Sequence, residues 1–102
     1  MRYVIGSNVF RKASDVKEYI LNCVGEKYFK RMIDEKYGEI KFFDCCYKAS
    51  YVFYKVNKPD YECKRKEFYK EKGNAIENNI VNMNEFEDMY LYGFKIISIP
   101  DN

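Results

Sequence analysis

The 102-residue sequence contains no histidine. That absence excludes Ser-His-Asp and Cys-His catalysis and any metal site with an imidazole ligand. Glycine is scarce and scattered, at Gly6, Gly25, Gly38, Gly73 and Gly93. No glycine-rich phosphate loop is present, so each glycine reads as punctuation between elements. No apolar run approaches the roughly 18–20 residues that a membrane span needs. Met1-Arg2-Tyr3-Val4-Ile5-Gly6 lacks the apolar h-region of a secretory signal. The expectation is a cytoplasmic chain with no membrane partner. Internal repeats, low-complexity tracts and interdomain linkers are also missing, and the length suits a single domain spanning residues 1–102.

Four cysteines are present, Cys23, Cys45, Cys46 and Cys63. Their spacing lacks the paired Cys-x2–4-Cys knuckles of a zinc ribbon or finger. Without a secretory signal they read as reduced thiols, buried or half-buried. No metal and no cofactor is expected.

What the sequence does have is a coding bias. Phe, Tyr, Met, Ile, Asn and Lys sum to 55 residues, whereas Gly, Ala, Arg and Pro sum to 14. The first set has AT-rich codons and the second GC-rich ones, so the chain reads as the product of an AT-rich genome. The same bias raises Lys, Asn and Tyr without any functional cause.

Residues 2–6 read as a strand, Gly6-Ser7-Asn8 as a turn, and Val9-Phe10 as resumed extended structure. Val16, Tyr19, Ile20, Cys23 and Val24 form one helical stripe. Asp15 and Glu18 suggest a capping box ahead of it, and Gly25 a C-terminal cap. A second helix is predicted over 26–37, with Tyr28, Phe29, Met32, Ile33 and Tyr37 on its apolar side and Gly38 ending it. The two helices would meet in a corner at Gly25. Period-two alternation marks a strand from residue 39 to about 46. Tyr51-Val52-Phe53-Tyr54-Lys55-Val56 is the strongest strand former in the chain, and the two runs are expected to pair. Residues 60–72 read as an exposed charged helix closed by Gly73-Asn74, with a charged hairpin arm as the alternative. Residues 75–83 are ambiguous. Asn84 and Glu87 suggest a capped short helix with Phe86, Met89 and Tyr90 on its apolar side, and Phe94–Ile99 reads as a final strand, paired centrally or covered. The sum is an α+β fold: a small antiparallel sheet of three to five strands with helices mainly packed on one face.

No catalytic constellation emerges. Asp34-Glu35 falls on the solvent side of a helix end, and the cysteines have no histidine base. The expectation is a non-enzymatic chain. Charge is unevenly spread: residues 1–73 carry 17 basic and 11 acidic side chains, and residues 74–102 carry one basic and five acidic. The basic maximum is Lys64, Arg65 and Lys66, interleaved with Tyr61 and Tyr69. Cations for phosphates and rings for bases are the ingredients of a nucleic-acid surface. Glu62, Glu67 and Glu71 temper it, with Glu62–Lys66 placed for an i,i+4 pair. Glu85, Glu87 and Asp88 favour a helix N-terminus, or present carboxylates where a partner expects phosphates.

Small size, AT-rich coding, abundant aromatics and no active site resemble the accessory proteins of phages and mobile elements, anti-CRISPR inhibitors among them. That resemblance implies a protein-binding module that blocks a larger host or defence protein by steric occlusion. Tyr61, Lys64, Arg65, Lys66, Tyr69, Glu85, Glu87 and Asp88 are the candidate partner-binding residues. The alternative is a nucleic-acid-binding accessory protein using residues 61–72. Either a monomer or a homodimer is compatible with these features.

Overall fold

Buried and less buried residues alternate along Arg2–Ile5, with Tyr3 and Ile5 inside, and along Phe94–Ile99, with Ile96 and Ser98 inside. Such a period of two belongs to strands, and both segments are strands in the computed structural model, which describes residues 1–101. In chain order the elements are β1 (Arg2–Ile5), β2 (Asn8–Phe10), α1 (Ala13–Ile20), a π turn (Leu21–Gly25) and α2 (Glu26–Tyr37). Then come β3 (Glu39–Phe42), β4 (Cys45–Lys48), α3 (Ala49–Val56), α4 (Lys58–Val81), β5 (Asp88–Leu91) and β6 (Phe94–Ile99). The fold is α+β, with a four-stranded antiparallel sheet in the order β2-β1-β6-β5 and a separate two-stranded ribbon of β3 and β4.

The chain divides into two compact units: residues 1–24 together with 71 onward, and residues 25–70. In the first unit, Tyr3, Ile5 and Ile96 face Val16 and Ile20 of α1 and Ile76 and Ile80 of α4. Helices thus cover one face of the four-stranded sheet. β6 lies between β1 and β5, as its apolar content predicts. Tyr92 and Gly93 both take positive φ, +51° and +84°, as a two-residue type I′ hairpin requires. The second unit holds α2, the ribbon, α3 and the first part of α4 around Phe29, Ile33, Ala49, Tyr61 and Phe68.

Several expectations are corrected. Residues 51–56 are not a strand but most of α3, and β3 pairs with β4 across Phe43-Asp44 instead. Strand propensity loses there because Ala49 and Phe53 pack into the second core and the Asp34 side chain accepts a hydrogen bond at the helix start. The helix begun at residue 58 runs on through Gly73 to Val81, since Ile76 and Ile80, one turn apart, are both buried. Residues 88–91 form a strand rather than a short helix: Met89 and Leu91 are half-buried while Asp88 and Tyr90 are exposed. Half of the Asn84–Glu87 box forms, and it closes a turn: the Asn84 backbone amide donates to Glu87 Oε2 at 2.6 Å, while the Glu87 amide donates to Ser98 Oγ at 3.1 Å and not to the Asn84 side chain. The N-cap of α1 is Lys12, without a side-chain hydrogen bond, so the Asp15–Glu18 box is not made.

Gly25 is not a left-handed cap. Its φ of −58° and ψ of −46° are helical, so the backbone stays helical from α1 through the π turn into α2. The glycine is required for space: a Cβ there would lie 2.8 Å from Cζ of the Tyr69 ring. Gly25→Ala should therefore destabilise by about 1–2 kcal/mol, overpacking outweighing the roughly 1 kcal/mol of helix propensity that alanine adds. Urea unfolding of Gly25→Ala against Gly25→Ala/Tyr69→Leu checks this. The second change should recover most of the loss, and a stabilised single variant would refute the close approach.

Candidate functional site

The β3–β4 ribbon is exposed along its whole length. Its register pairs Ile40 with Tyr47 and Phe42 with Cys45, while Glu39–Lys48 and Lys41–Cys46 are the alternate pairs. Because side chains alternate across a strand, Ile40, Phe42, Cys45 and Tyr47 share one face and Glu39, Lys41, Cys46 and Lys48 share the other. The apolar face is open: Ile40 is 42%, Phe42 67% and Tyr47 41% exposed. At the tip Phe43 is 90% exposed and sits edge-on to Phe42, ring centroids 4.8 Å apart. Its φ of +55° is a region that bulky L-residues avoid. A phenylalanine held there, in water, has no folding rationale.

Beneath the ribbon, α3 is fixed by its neighbours within the unit. Asp34 of α2 accepts hydrogen bonds from the Ser50 amide at 2.9 Å and the Ser50 hydroxyl at 3.1 Å. It thereby satisfies a donor that the start of a helix leaves unpaired. Helical spacing alone puts Asp34 on a solvated face; it is instead the cap of the helix that follows the ribbon. Tyr61 is fully buried, with Phe29, Tyr54 and Phe53 ring centroids 5.1, 5.2 and 5.6 Å away. Its hydroxyl donates to Glu26 Oε1 at 3.3 Å. Burial first, and then the Glu26 carboxylate, push the Tyr61 phenol up to about 12.

Beside Asp34 and Ser50 opens a groove of about 1150 Å³, lined by residues of α2, α3 and the first turns of α4 together with Lys48. Tyr51 and Tyr54 form part of its wall. Tyr51 also stacks on Tyr47, with the rings 13° from parallel and 6.0 Å apart.

Of the residues singled out from sequence, Tyr61, Lys64, Arg65, Lys66 and Tyr69 fall in the second unit, and Glu85, Glu87 and Asp88 in the first. Tyr61 is a core residue, not a surface anchor. Tyr69 is half-buried over Gly25, with the Arg65 guanidinium 5.6 Å from its ring centroid, and burial raises its phenol pKa. Arg65 pairs with Glu62, in place of the expected Glu62–Lys66 pair, and Lys64 lies 3.7 Å from Glu67. The basic run is thus largely neutralised along its own helix, with Lys66 exposed. Glu87 is used in its turn and Asp88 lies 3.7 Å from Lys95, which leaves Glu85 as the exposed carboxylate of that set without an ion pair among the described residues. All four cysteines are exposed free thiols, contrary to the expectation of burial. They sit on helix and ribbon surfaces that no core covers.

Among the described residues no group of three or more cysteine and carboxylate side chains is placed to hold a metal ion, and no helix is long and apolar enough to cross a membrane. Comparison with protein-family models, curated proteins and solved structures finds no match to this chain. The ribbon is hidden in the sequence because residues 39–46 read as one continuous strand paired with 51–56, whereas the chain turns back on itself at Phe43-Asp44. The run Ile40, Phe42, Phe43 was the available signal.

Two stability predictions follow from this geometry. Asp34→Ala should cost about 1–2 kcal/mol through loss of the helix-start acceptor, measured by urea unfolding. The raised Tyr61 phenol gives stability that is fully present below the unfolded value of 10.0 and is lost as pH rises through about 12. Unfolding midpoints should accordingly fall across that window, and Tyr61→Phe should flatten the fall. An unchanged slope in Tyr61→Phe would show that the buried phenol is not its source.

Proposed function

We propose that the chain is a non-enzymatic protein-binding module that blocks or redirects a larger protein, with the β3–β4 ribbon as its wedge. The observation that carries this reading is the open apolar face of Ile40, Phe42 and Tyr47, capped by a strained and solvated Phe43. With an aromatic side chain offering about 150–250 Å², these four side chains expose on the order of 500 Å². That is at the upper end of the largest apolar patch of an ordinary monomer, where patches serve as binding sites. The partner is a protein with an apolar cleft, since ring-tipped anchors entering desolvated pockets dominate such interfaces. Small size and AT-rich coding favour an inhibitor of a host or defence protein, acting by steric occlusion.

A trade between stability and binding tests this. Phe43→Gly removes the left-handed strain and discards only a solvated ring, so stability should stay level or rise by about 1 kcal/mol. The same variant, and Phe42→Ser more strongly, should lose capture of the partner from a nuclease-treated lysate of a low-GC bacterium. Sedimentation of the purified chain gives the other check: a dimer dissociated by Phe42→Ser would mean that the face is covered by a second copy. Retained capture by both variants would sink the ribbon as the binding element.

A further inference from the structure

The groove beside Asp34 has a charge imbalance that its composition conceals. Its walls carry five cations, Lys27, Lys30, Arg31, Lys48 and Lys58, and four acids, Glu26, Asp34, Glu35 and Glu62. Three of the acids are engaged within the unit. Glu26 accepts from the Tyr61 hydroxyl and lies 3.8 Å from Lys30, Asp34 holds Ser50, and Glu62 holds Arg65. Among the described residues no carboxylate lies within ion-pairing distance of Lys27, Arg31, Lys48 or Lys58. Asp34 keeps its charge while it holds Ser50, so the four cations without an ion pair share the groove with two carboxylates that no cation neutralises, Asp34 and Glu35. The second unit as a whole is also the basic one, with 12 basic and 8 acidic residues against 6 and 8 in the rest of the chain.

Aromatic rings stand among these cations. Tyr51 is 52% exposed, and Tyr54 shares the wall. Lys58 Nζ lies 5.2 Å from the Tyr54 centroid, and Lys55 Nζ lies 5.7 Å from Tyr51 and 5.8 Å from Tyr54. The charges are thus carried against ring faces, and the Tyr47–Tyr51 stack extends the ring surface beyond the groove. An acidic peptide would use the cations but would leave the exposed rings without a task. A duplex would present phosphates with its bases stacked away from the rings. A single strand offers both phosphates and free base faces.

We propose that the groove bounded by α2, α3 and the start of α4 binds single-stranded nucleic acid, with Lys27, Arg31, Lys48 and Lys58 on phosphates and Tyr51 against a base. This site is separate from the Lys64-Arg65-Lys66 run, whose charges are largely spent on neighbouring glutamates. It does not depend on the ribbon reading.

The test is fluorescence anisotropy of the full chain with a 12-nucleotide oligouridine and a 12-nucleotide oligothymidine across a salt series. At about 0.7 ions released per phosphate on a single strand, three to four contacts give a log–log slope of roughly −2 to −3. Lys48→Gln/Lys58→Gln should weaken binding about tenfold and flatten the slope by about 1–1.5. Both positions lie at helix starts, where losing a positive charge does not oppose the helix dipole, so folding is retained. Tyr51→Ala should weaken binding by about tenfold at unchanged slope, the signature of a lost stack. The matched pair Lys64→Gln/Lys66→Gln should change affinity less than about threefold, the salt slope moving little if those lysines touch no phosphate. Tight binding of either oligonucleotide supports the site, and the difference between the two reports whether RNA or DNA is preferred. Absence of binding to both would overturn it. So would equal losses in the two lysine pairs, or oligoglutamate binding as tightly with Tyr51→Ala without effect.

Discussion

Tyr61 is the residue on which the second unit depends. Fewer than 50 residues cannot bury a large apolar area, so a few big side chains must supply most of the core. Tyr61 is fully buried against rings from α2 and α3, and its hydroxyl reaches back to Glu26. One side chain on α4 thereby locates two other helices. Both ends of the β3–β4 ribbon are attached to those helices, through Gly38 to α2 and directly to α3. The groove walls come from the same three helices. Loss of the Tyr61 ring would misplace both surfaces together, which is why a residue that looks like a surface anchor in sequence is better understood as the support for the surfaces.

The way this core is filled also explains what remains outside. Phe29, Phe53, Tyr54, Tyr61 and Phe68 pack among helices. The ribbon contributes nothing to that cluster. A two-stranded ribbon alone is marginal in water, and this one is steadied by its continuity with α2 and α3, with the Ala49 amide donating to the Gly38 carbonyl at 3.2 Å across its base. Its apolar face is therefore a surplus that folding does not need, and Phe43 adds backbone strain on top of exposure. Strain and solvated apolar area both reduce stability; they coincide at Phe43, as they do at Phe86 in the first unit, and at Phe43 the open apolar face beside it argues for use outside the fold.

The parts legible in sequence were those where local pattern and tertiary packing agree. The first and last strands, the Val16, Tyr19 and Ile20 part of the α1 stripe, the extent of α2 and the positive φ of Gly38 all follow from periodicity and cap chemistry. The parts that were not legible were decided by partners distant in sequence. Tyr51–Val56 has strand propensity, yet a carboxylate 16 residues earlier caps it as a helix. Gly25 and Gly73 look like terminators but supply room for Tyr69 and for Lys17. Residues 84–87 carry a helix-start signature, yet the buried Ser98 hydroxyl takes the Glu87 amide at 3.1 Å and draws the chain toward β6. The basic run was visible, but whether its charges were free depended on which rotamers met Glu62 and Glu67. The groove cations, drawn from α2, α4 and the ribbon, form no run at all.

The two candidate surfaces obey different physics, and that difference constrains how one small chain could use them. Burial of the ribbon face is driven by apolar area, which salt does not screen. Occupancy of the groove is driven by cations whose attraction falls off over about 8 Å at physiological ionic strength. The groove would thus capture a polyanion from a distance and hold it loosely, while the ribbon would act only at contact and hold through a slow off-rate. Tyr47 and Tyr51 stack between the two surfaces, so an occupant of one meets the edge of the other. A target that offers both an apolar cleft and a nearby nucleic-acid strand would engage both at once, and linkage of that kind raises avidity without any single strong contact.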